Sequence, residues 1–296
     1  MSEPRTAGLP AVGAPPVRPP AMRARAGRTA RAVTRTVGRW THRWRLRPGF
    51  LVVGAQRCGT TSMMKTLAQH PGVAPAVLHK GVHYFDVNYH QGMAWYAGHF
   101  PSVRRVAITG ESSPYYMFHP LAPERIAADL PDVRLVVLLR DPVERAYSAY
   151  THERARGFER ETFARALALE PVRLAGEAER MVADPSYDSH HWRHNAYVTR
   201  GQYVDQLEHL ESLFGRDRLC VVDSQDFFDD PGPAFADVLA FLELSSVDGV
   251  RFTRHNARPR SPMPAELRAE LEAHFRPYDD RLAAWWGRTP SWRRER

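Results

Sequence analysis

The stretch Phe50-Leu51-Val52-Val53-Gly54 is apolar without a break, then opens into Gly54-Ala55-Gln56-Arg57-Cys58-Gly59-Thr60-Thr61-Ser62 and a helical spacing of Met63, Met64 and Leu67. His70-Pro71-Gly72 closes the helix. A strand that is continuously apolar rather than alternating is buried on both faces, which places it in a parallel sheet between two layers of helices. This strand, glycine loop and helix therefore predict an α/β fold from a few residues.

The same logic finds a second unit. Arg134-Leu135-Val136-Val137-Leu138-Leu139 is again continuous, and it runs into Asp141-Pro142, with proline suited to a first helical turn, and a helix through Tyr147 and Tyr150. Further strands are expected at Val106-Ala107-Ile108-Thr109 and Leu219-Cys220-Val221-Val222, the latter followed by a helix over Pro233–Leu242. Strands alternating with helices give a loop-bearing parallel sheet flanked by helices, and a single domain over 49–296 is the simplest organisation. The stretch 160–200 reads as a more irregular insertion over the site.

Charge divides the chain differently. The formal net charge of +8 would by itself suggest nucleic acid or an acidic surface as partner. Residues 1–48, however, hold eleven arginines and one acid, Glu3, for +10, while the other 30 bases and 32 acids leave the remainder at −2. The tail is rich in Pro, Ala and Gly and too poor in large apolar side chains to offset its ordering entropy, so it reads as largely disordered. A basic helix over Arg31–Arg47, with Val33, Val37, Trp40 and Trp44 on one face, would suit an anionic membrane surface, and a solvated basic arm is the plainer alternative. No specific nucleic acid binding is expected. Two cysteines, no secretory apolar region and no membrane-spanning run fit a cytoplasmic protein, peripheral at the inner membrane surface if the tail binds lipid.

The loop carries the first chemical signal. Glycines let the backbone approach an anion, first-turn amides point at it, and Thr60, Thr61 and Ser62 add hydroxyls. The pattern is close to the phosphate loop G-x-x-x-x-G-K-[ST], but Thr60 stands where that motif has lysine and the cation is Arg57. An ordinary ATPase or GTPase is thereby disfavoured. The second signal is Arg140-Asp141-Pro142-Val143-Glu144-Arg145-Ala146-Tyr147-Ser148, at the carboxyl end of a strand, where α/β sheets bind ligands. Arg140 is placed there for a second phosphate, with Ser148 two turns along the helix.

Taken together, these two segments resemble the donor-binding segments of sulfotransferases that use 3′-phosphoadenosine 5′-phosphosulfate (PAPS). The similarity extends to the carbohydrate branch typified by heparan sulfate sulfotransferase domains. His79-Lys80-Gly81-Val82-His83-Tyr84-Phe85-Asp86, Tyr89-His90-Gln91-Gly92-Met93-Ala94-Trp95-Tyr96, Gly110-Glu111-Ser112-Ser113-Pro114-Tyr115-Tyr116 and the terminal Leu282, Trp285, Pro290 and Trp292 follow its order over residues 49–293. The resemblance implies PAPS as donor, the bisphosphate PAP as product, no metal requirement, and a hydroxyl or amine of a glycan, glycolipid or small molecule as acceptor. It implies that Arg57, Cys58, Gly59, Thr60, Thr61 and Ser62 hold the 5′-phosphosulfate, that Arg140 and Ser148 hold the 3′-phosphate, and that Arg258 belongs to a basic loop over the nucleotide. A P-loop kinase-like phosphotransferase and a catalytically impaired nucleotide-binding module are the alternatives.

Two departures bear on the chemistry. Relatives often carry a glutamate base after the lysine that matches Lys80, and here the position is Gly81; relatives often carry lysine where this chain has Ser112. His83 is then the first candidate base, with Asp86 to orient it, and Glu111 the second. Lys80 would contact the transferring sulfuryl group. Arg57 keeps a positive charge at the loop but cannot donate a proton as lysine can. His190, His191 and His194 lack the cysteine company of a zinc site, and His191 with Trp192 would instead stack on an acceptor sugar.

Overall fold

A computed structural model describes residues 40–76, 81–102, 108–253 and 262–294. In chain order the elements are β1 (Phe50–Gly54), α1 (Thr60–Leu67), β2 (Val73–Pro75), α2 (Met93–Ala97), β3 (Ile108–Ser112), α3 (Ala122–Asp129), β4 (Arg134–Leu139) and α4 (Pro142–Ala155). There follow α5 (Phe163–Leu174), α6 (Glu177–Ala183), α7 (His190–His194), α8 (Tyr203–Phe214), β5 (Leu219–Asp223), α9 (Ser224–Asp229), α10 (Pro231–Phe241) and α11 (Ala265–Trp286). The five strands form one sheet in the order β2-β3-β1-β4-β5, parallel throughout.

The continuous apolar runs behave as their composition demands. Every residue from Phe50 to Val53 and from Leu135 to Leu139 has no exposed surface. Each such side chain contributes about 1.5–3 kcal/mol by leaving water, so the centre of the sheet is where the fold is anchored. The chain moves from β1 to β2 and β3 on one side, then crosses to β4 and β5 on the other. The order therefore reverses between β1 and β4, and a crevice opens beyond their carboxyl ends. Both sequence signals, the glycine loop and Arg140, sit at that point.

Local chemistry sets the entrance to α4. Asp141 caps it, its carboxylate accepting from the amides of Val143 at 2.9 Å and Glu144 at 3.4 Å, with Pro142 in the first turn. Gly59 precedes α1 with φ of 89°, and a Cβ there would also lie 2.9 Å from the Phe228 ring. Only glycine meets both conditions.

Three expectations need correction. The strand predicted over 106–109 is β3, Ile108–Ser112; residues 103–107 lie outside the described part. The edge strand β2 was not expected, because three residues ending in Pro75 give no periodic signal, although an edge is where proline is tolerated. The stretch 160–200, read as irregular, folds into α5, α6 and α7, with Thr162 and Ser189 capping the first and last. Most of the basic tail, and with it most of the predicted helix over 31–47, lies outside the described residues.

Candidate functional site

The glycine loop and the start of α4 meet across the crevice. Arg57, on the loop, donates from Nε to Ser148 Oγ at 3.2 Å, joining positions 91 residues apart. Arg57 has φ of 72°, left-handed for a residue with a side chain, as tight anion-binding turns require. Behind the loop, Tyr203 reaches both halves: its hydroxyl donates to the Arg140 carbonyl at 2.9 Å and lies 3.6 Å from Cys58 Sγ. The Cys58 thiol is buried, which pushes its pKa up, and its carbonyl accepts from Ser224. Thr60 and Ser62 are buried, while Gly59 and Thr61 are partly open. Arg140 is partly exposed, with Glu144 3.5 Å away.

The second wall is built on β3. Glu111 is fully buried, and both carboxylate oxygens are engaged: Oε2 accepts from the Val82 amide at 3.0 Å and Ser113 Oγ at 2.7 Å, and Oε1 from the Tyr116 hydroxyl at 2.7 Å. Burial pushes the Glu111 pKa up, and these hydrogen bonds oppose the rise. Tyr116 accepts in turn from the Tyr84 amide at 2.8 Å, and Ser113 Oγ accepts from the His83 amide at 3.0 Å. One carboxylate thus ties residues 82–84 to the end of β3.

His83 projects from that tethered segment with φ of 53°. Its Nδ1 lies 2.7 Å from Asp86 Oδ2, and the buried Asp86 also accepts from the Val87 amide at 2.6 Å. Arg125 on α3 fixes the turn by donating to the carbonyls of Phe85 and Asp86 at 2.8 and 3.0 Å. Burial alone would lower the His83 pKa. The hydrogen bond and charge of Asp86, helped by the Glu111 charge, outweigh burial and raise it. With Nδ1 held by Asp86, Nε2 is the ring atom available to exchange a proton.

Gly81 owes its identity to a close approach. A Cβ there would lie 2.5 Å from the Ser112 carbonyl oxygen and 3.0 Å from Ser113 Oγ, so the tether that holds His83 leaves no room for a side chain. Lys80 and Arg258 lie outside the described residues, as does His79. Trp192 is not free to stack on a sugar with both faces: its ring is stacked on Phe118 at 4.7 Å, and its indole N–H donates to the Phe118 carbonyl at 3.1 Å. His191 Nδ1 pairs with Asn195 at 2.9 Å and His194 Nδ1 with Glu153 at 2.9 Å.

Sequence reasoning missed the buried supports. Arg145, with no exposed surface, donates to the Tyr197 carbonyl, and Arg200, also buried, donates to Gln56 Oε1 in the glycine loop. Glu170 on α5 accepts from the amides of Tyr197, Val198 and Thr199 at 2.8 Å each, fixing the approach to Arg200. Arg145 lies within the quoted second segment and was visible there. Glu170 lies in an amphipathic helix and gives no signal of its own.

A five-stranded parallel α/β sheet with a glycine loop at its switch point places a crevice where such folds bind ligands. The family described as Sulfotransferase domain matches residues 47–257, and the chain belongs to that family. A crystal structure of a sulfotransferase from Alicyclobacillus acidocaldarius superposes with a TM-score of 0.69 at 31% identity, covering 84% of this chain and 100% of that one. Among curated relatives, the membrane-associated sulfotransferase kil1 of Dictyostelium discoideum is 25% identical over 79% of this chain and 64% of its own length. Human heparan sulfate glucosamine 3-O-sulfotransferase 6 is 28% identical over 83% of this chain and 73% of its own. The chain spans only 22% of bovine bifunctional heparan sulfate N-deacetylase/N-sulfotransferase 2, at 29% identity over 67% of this chain.

Proposed function

We propose that this sulfotransferase moves a sulfuryl group from PAPS to a hydroxyl, or an amine, of a glycan, glycolipid or small-molecule acceptor. The observation that carries the reading is the bond from Arg57 to Ser148, because it sets a loop suited to one phosphate beside a strand end suited to another. PAPS presents two such anions on one nucleotide. The loop amides, Thr61 and Arg57 hold the 5′-phosphosulfate; Arg140 and Ser148 hold the 3′-phosphate. The resemblance of the sequence to heparan sulfate enzymes supports a glycan among the acceptors.

In the reaction the acceptor oxygen attacks sulfur in line, a new S–O bond forms, and the S–O bond to the bridging phosphate oxygen breaks with its electron pair leaving on PAP. His83 Nε2 takes the acceptor proton, and Asp86 stabilises the resulting imidazolium. Arg57 and the loop amides support the charge that develops on the leaving oxygen. Glu111, with both oxygens already engaged, positions His83 rather than receiving a proton. Lys80 and Arg258 are proposed contacts to the sulfuryl group and the nucleotide on the strength of the sequence alone.

We place the basic N-terminal segment at an anionic membrane face on the cytoplasmic side. Its ten net positive charges include the three arginines of a turn in which Trp40 and Trp44 are 83% and 73% exposed beside exposed Arg43 and Arg47. Tryptophan and arginine together suit a lipid headgroup layer. Among the described residues no helix is long and apolar enough to cross a membrane.

Radiolabelled PAPS incubated with a panel of glycan, glycolipid and phenolic acceptors tests the reaction. Label should pass to at least one acceptor with PAP released in equal amount. Transfer from magnesium ATP instead, with PAPS inert, would overturn the reading.

A further inference from the structure

The interior behind the glycine loop holds two guanidinium groups without a carboxylate bound to either among the described residues. Arg145 makes one hydrogen bond, to the Tyr197 carbonyl, and leaves Nε and Nη1 without a partner. Arg200 donates to Gln56 Oε1 and to the carbonyls of Trp192 at 2.7 Å and Arg193 at 3.2 Å, and its Nε has no partner. The rings of Phe118 and Tyr115 lie 4.6 and 5.2 Å from its guanidinium carbon. Burial lowers Arg200 to about 10, so it is charged at neutral pH.

Buried cations without counter-ions are costly, and they are retained where an anion arrives to complete them. The loop that Arg200 grips through Gln56 is where the donor's phosphates are proposed to sit. Its other grip is on α7 and on the Tyr115–Phe118 segment, the wall beside the His83–Asp86 pair; Arg193 lies near enough to act on the charge of His83. One side chain therefore spans both halves of the site, and Glu170 fixes where it enters.

We infer that Arg200 is a positioning residue that couples the two halves: the donor anion on the glycine loop tightens the Gln56–Arg200 link, and Arg200 thereby orders α7 and the Tyr115–Phe118 segment as the acceptor wall. The inference rests on the donor reading above. A ligand shifts such an equilibrium only through contacts it makes differently in the two states, and here the contact is the charge of Arg200 felt through the loop. Donor binding then favours acceptor binding, and the acceptor favours the donor by the same factor.

Hydrogen exchange with adenosine 3′,5′-bisphosphate as the added ligand tests this on the full chain, wild type and Gln56→Ala. Gln56 is partly exposed, and retained ligand protection of 55–62 in the variant reports that its loop is still folded. In the wild type, the ligand should slow exchange in 55–62 and also in 188–198 and 115–119, the latter two by about fivefold or more. In Gln56→Ala the protection of 55–62 should persist while that of the distant segments is lost. Protection of 55–62 with 188–198 unmoved in the wild type, or identical distant protection in Gln56→Ala, would overturn the coupling and leave the donor reading standing. No protection anywhere would overturn both.

Discussion

At position 81 a close backbone approach excludes a side chain, and the proposed proton acceptor follows from that. A carboxylate cannot be restored there, because a Cβ would press on the Ser112 carbonyl that belongs to the same tether as Glu111. Gly81→Glu should therefore lower the melting temperature, with a cost of about 1–3 kcal/mol from overpacking, and should not raise turnover; a stable, faster variant would contradict this assignment. In the proposed reaction the proton falls to His83. His83→Ala should reduce kcat by roughly 10²–10⁴ while leaving PAP affinity nearly unchanged. Since His83 must be neutral to accept a proton and Asp86 raises its pKa, activity should climb as pH rises through that raised value. Asp86→Asn removes the cause, so the acid limb of the rate profile should shift to lower pH even as the maximal rate drops. An unmoved limb would assign the titration to another group.

At the scale of elements, the site depends on carboxylates that hold backbone amides in place. Glu170 accepts three consecutive amides at the turn into Arg200, and Asp141 caps the helix that carries Ser148. Glu170→Ala strands one buried and two half-buried donors and should cost about 1–3 kcal/mol, read as a loss in urea midpoint with an unchanged m-value. A change below about 0.5 kcal/mol would mean that water replaces the carboxylate without penalty. These elements also show what the chain discloses in advance. Continuous apolar runs announced β1 and β4, since burial on both faces leaves no polar alternation to hide them, and a shorter run announced the half-buried edge strand β5. Gly54–Ser62 and Arg140–Ser148 announced two segments of one site, and the fold brings them together through the bond from Arg57 to Ser148. Helix α5 was missed because Pro171 interrupts a spacing that tertiary packing restores. Glu170 and Arg200 were missed because a buried ion and a surface ion look the same in one dimension.

For the whole molecule, charge and catalysis are separated along the chain. The part from residue 49 onward is net −2, so the donor must be held by a few placed guanidiniums and amides, while the +10 of residues 1–48 acts elsewhere. The join between them is structural, since Arg45 donates to the Phe100 carbonyl at 2.7 Å and the Leu46 amide to Pro101 at 3.1 Å. Removing residues 1–39 keeps that join. It takes away eight arginines and Glu3, +7 of the +10, so it should weaken sedimentation with phosphatidylglycerol vesicles and leave PAP affinity intact, and the attraction of the full chain should fade as salt shortens the Debye length to about 3 Å at 1 M. Vesicle binding undiminished by the truncation would move the lipid contact off residues 1–39.

The central claim is that one nucleotide bridges the glycine loop and the start of α4 through two anions. The most direct measurement is calorimetric titration of the wild type and Ser148→Ala with adenosine 3′,5′-bisphosphate and with adenosine 5′-monophosphate. Charge-assisted hydrogen bonds at Arg140 and Ser148 predict that the wild type prefers the bisphosphate by roughly 100-fold, about 3 kcal/mol, and that Ser148→Ala loses about a tenth to a half of that free-energy preference while binding the monophosphate as before. Equal affinity of the wild type for the two nucleotides would contradict the claim.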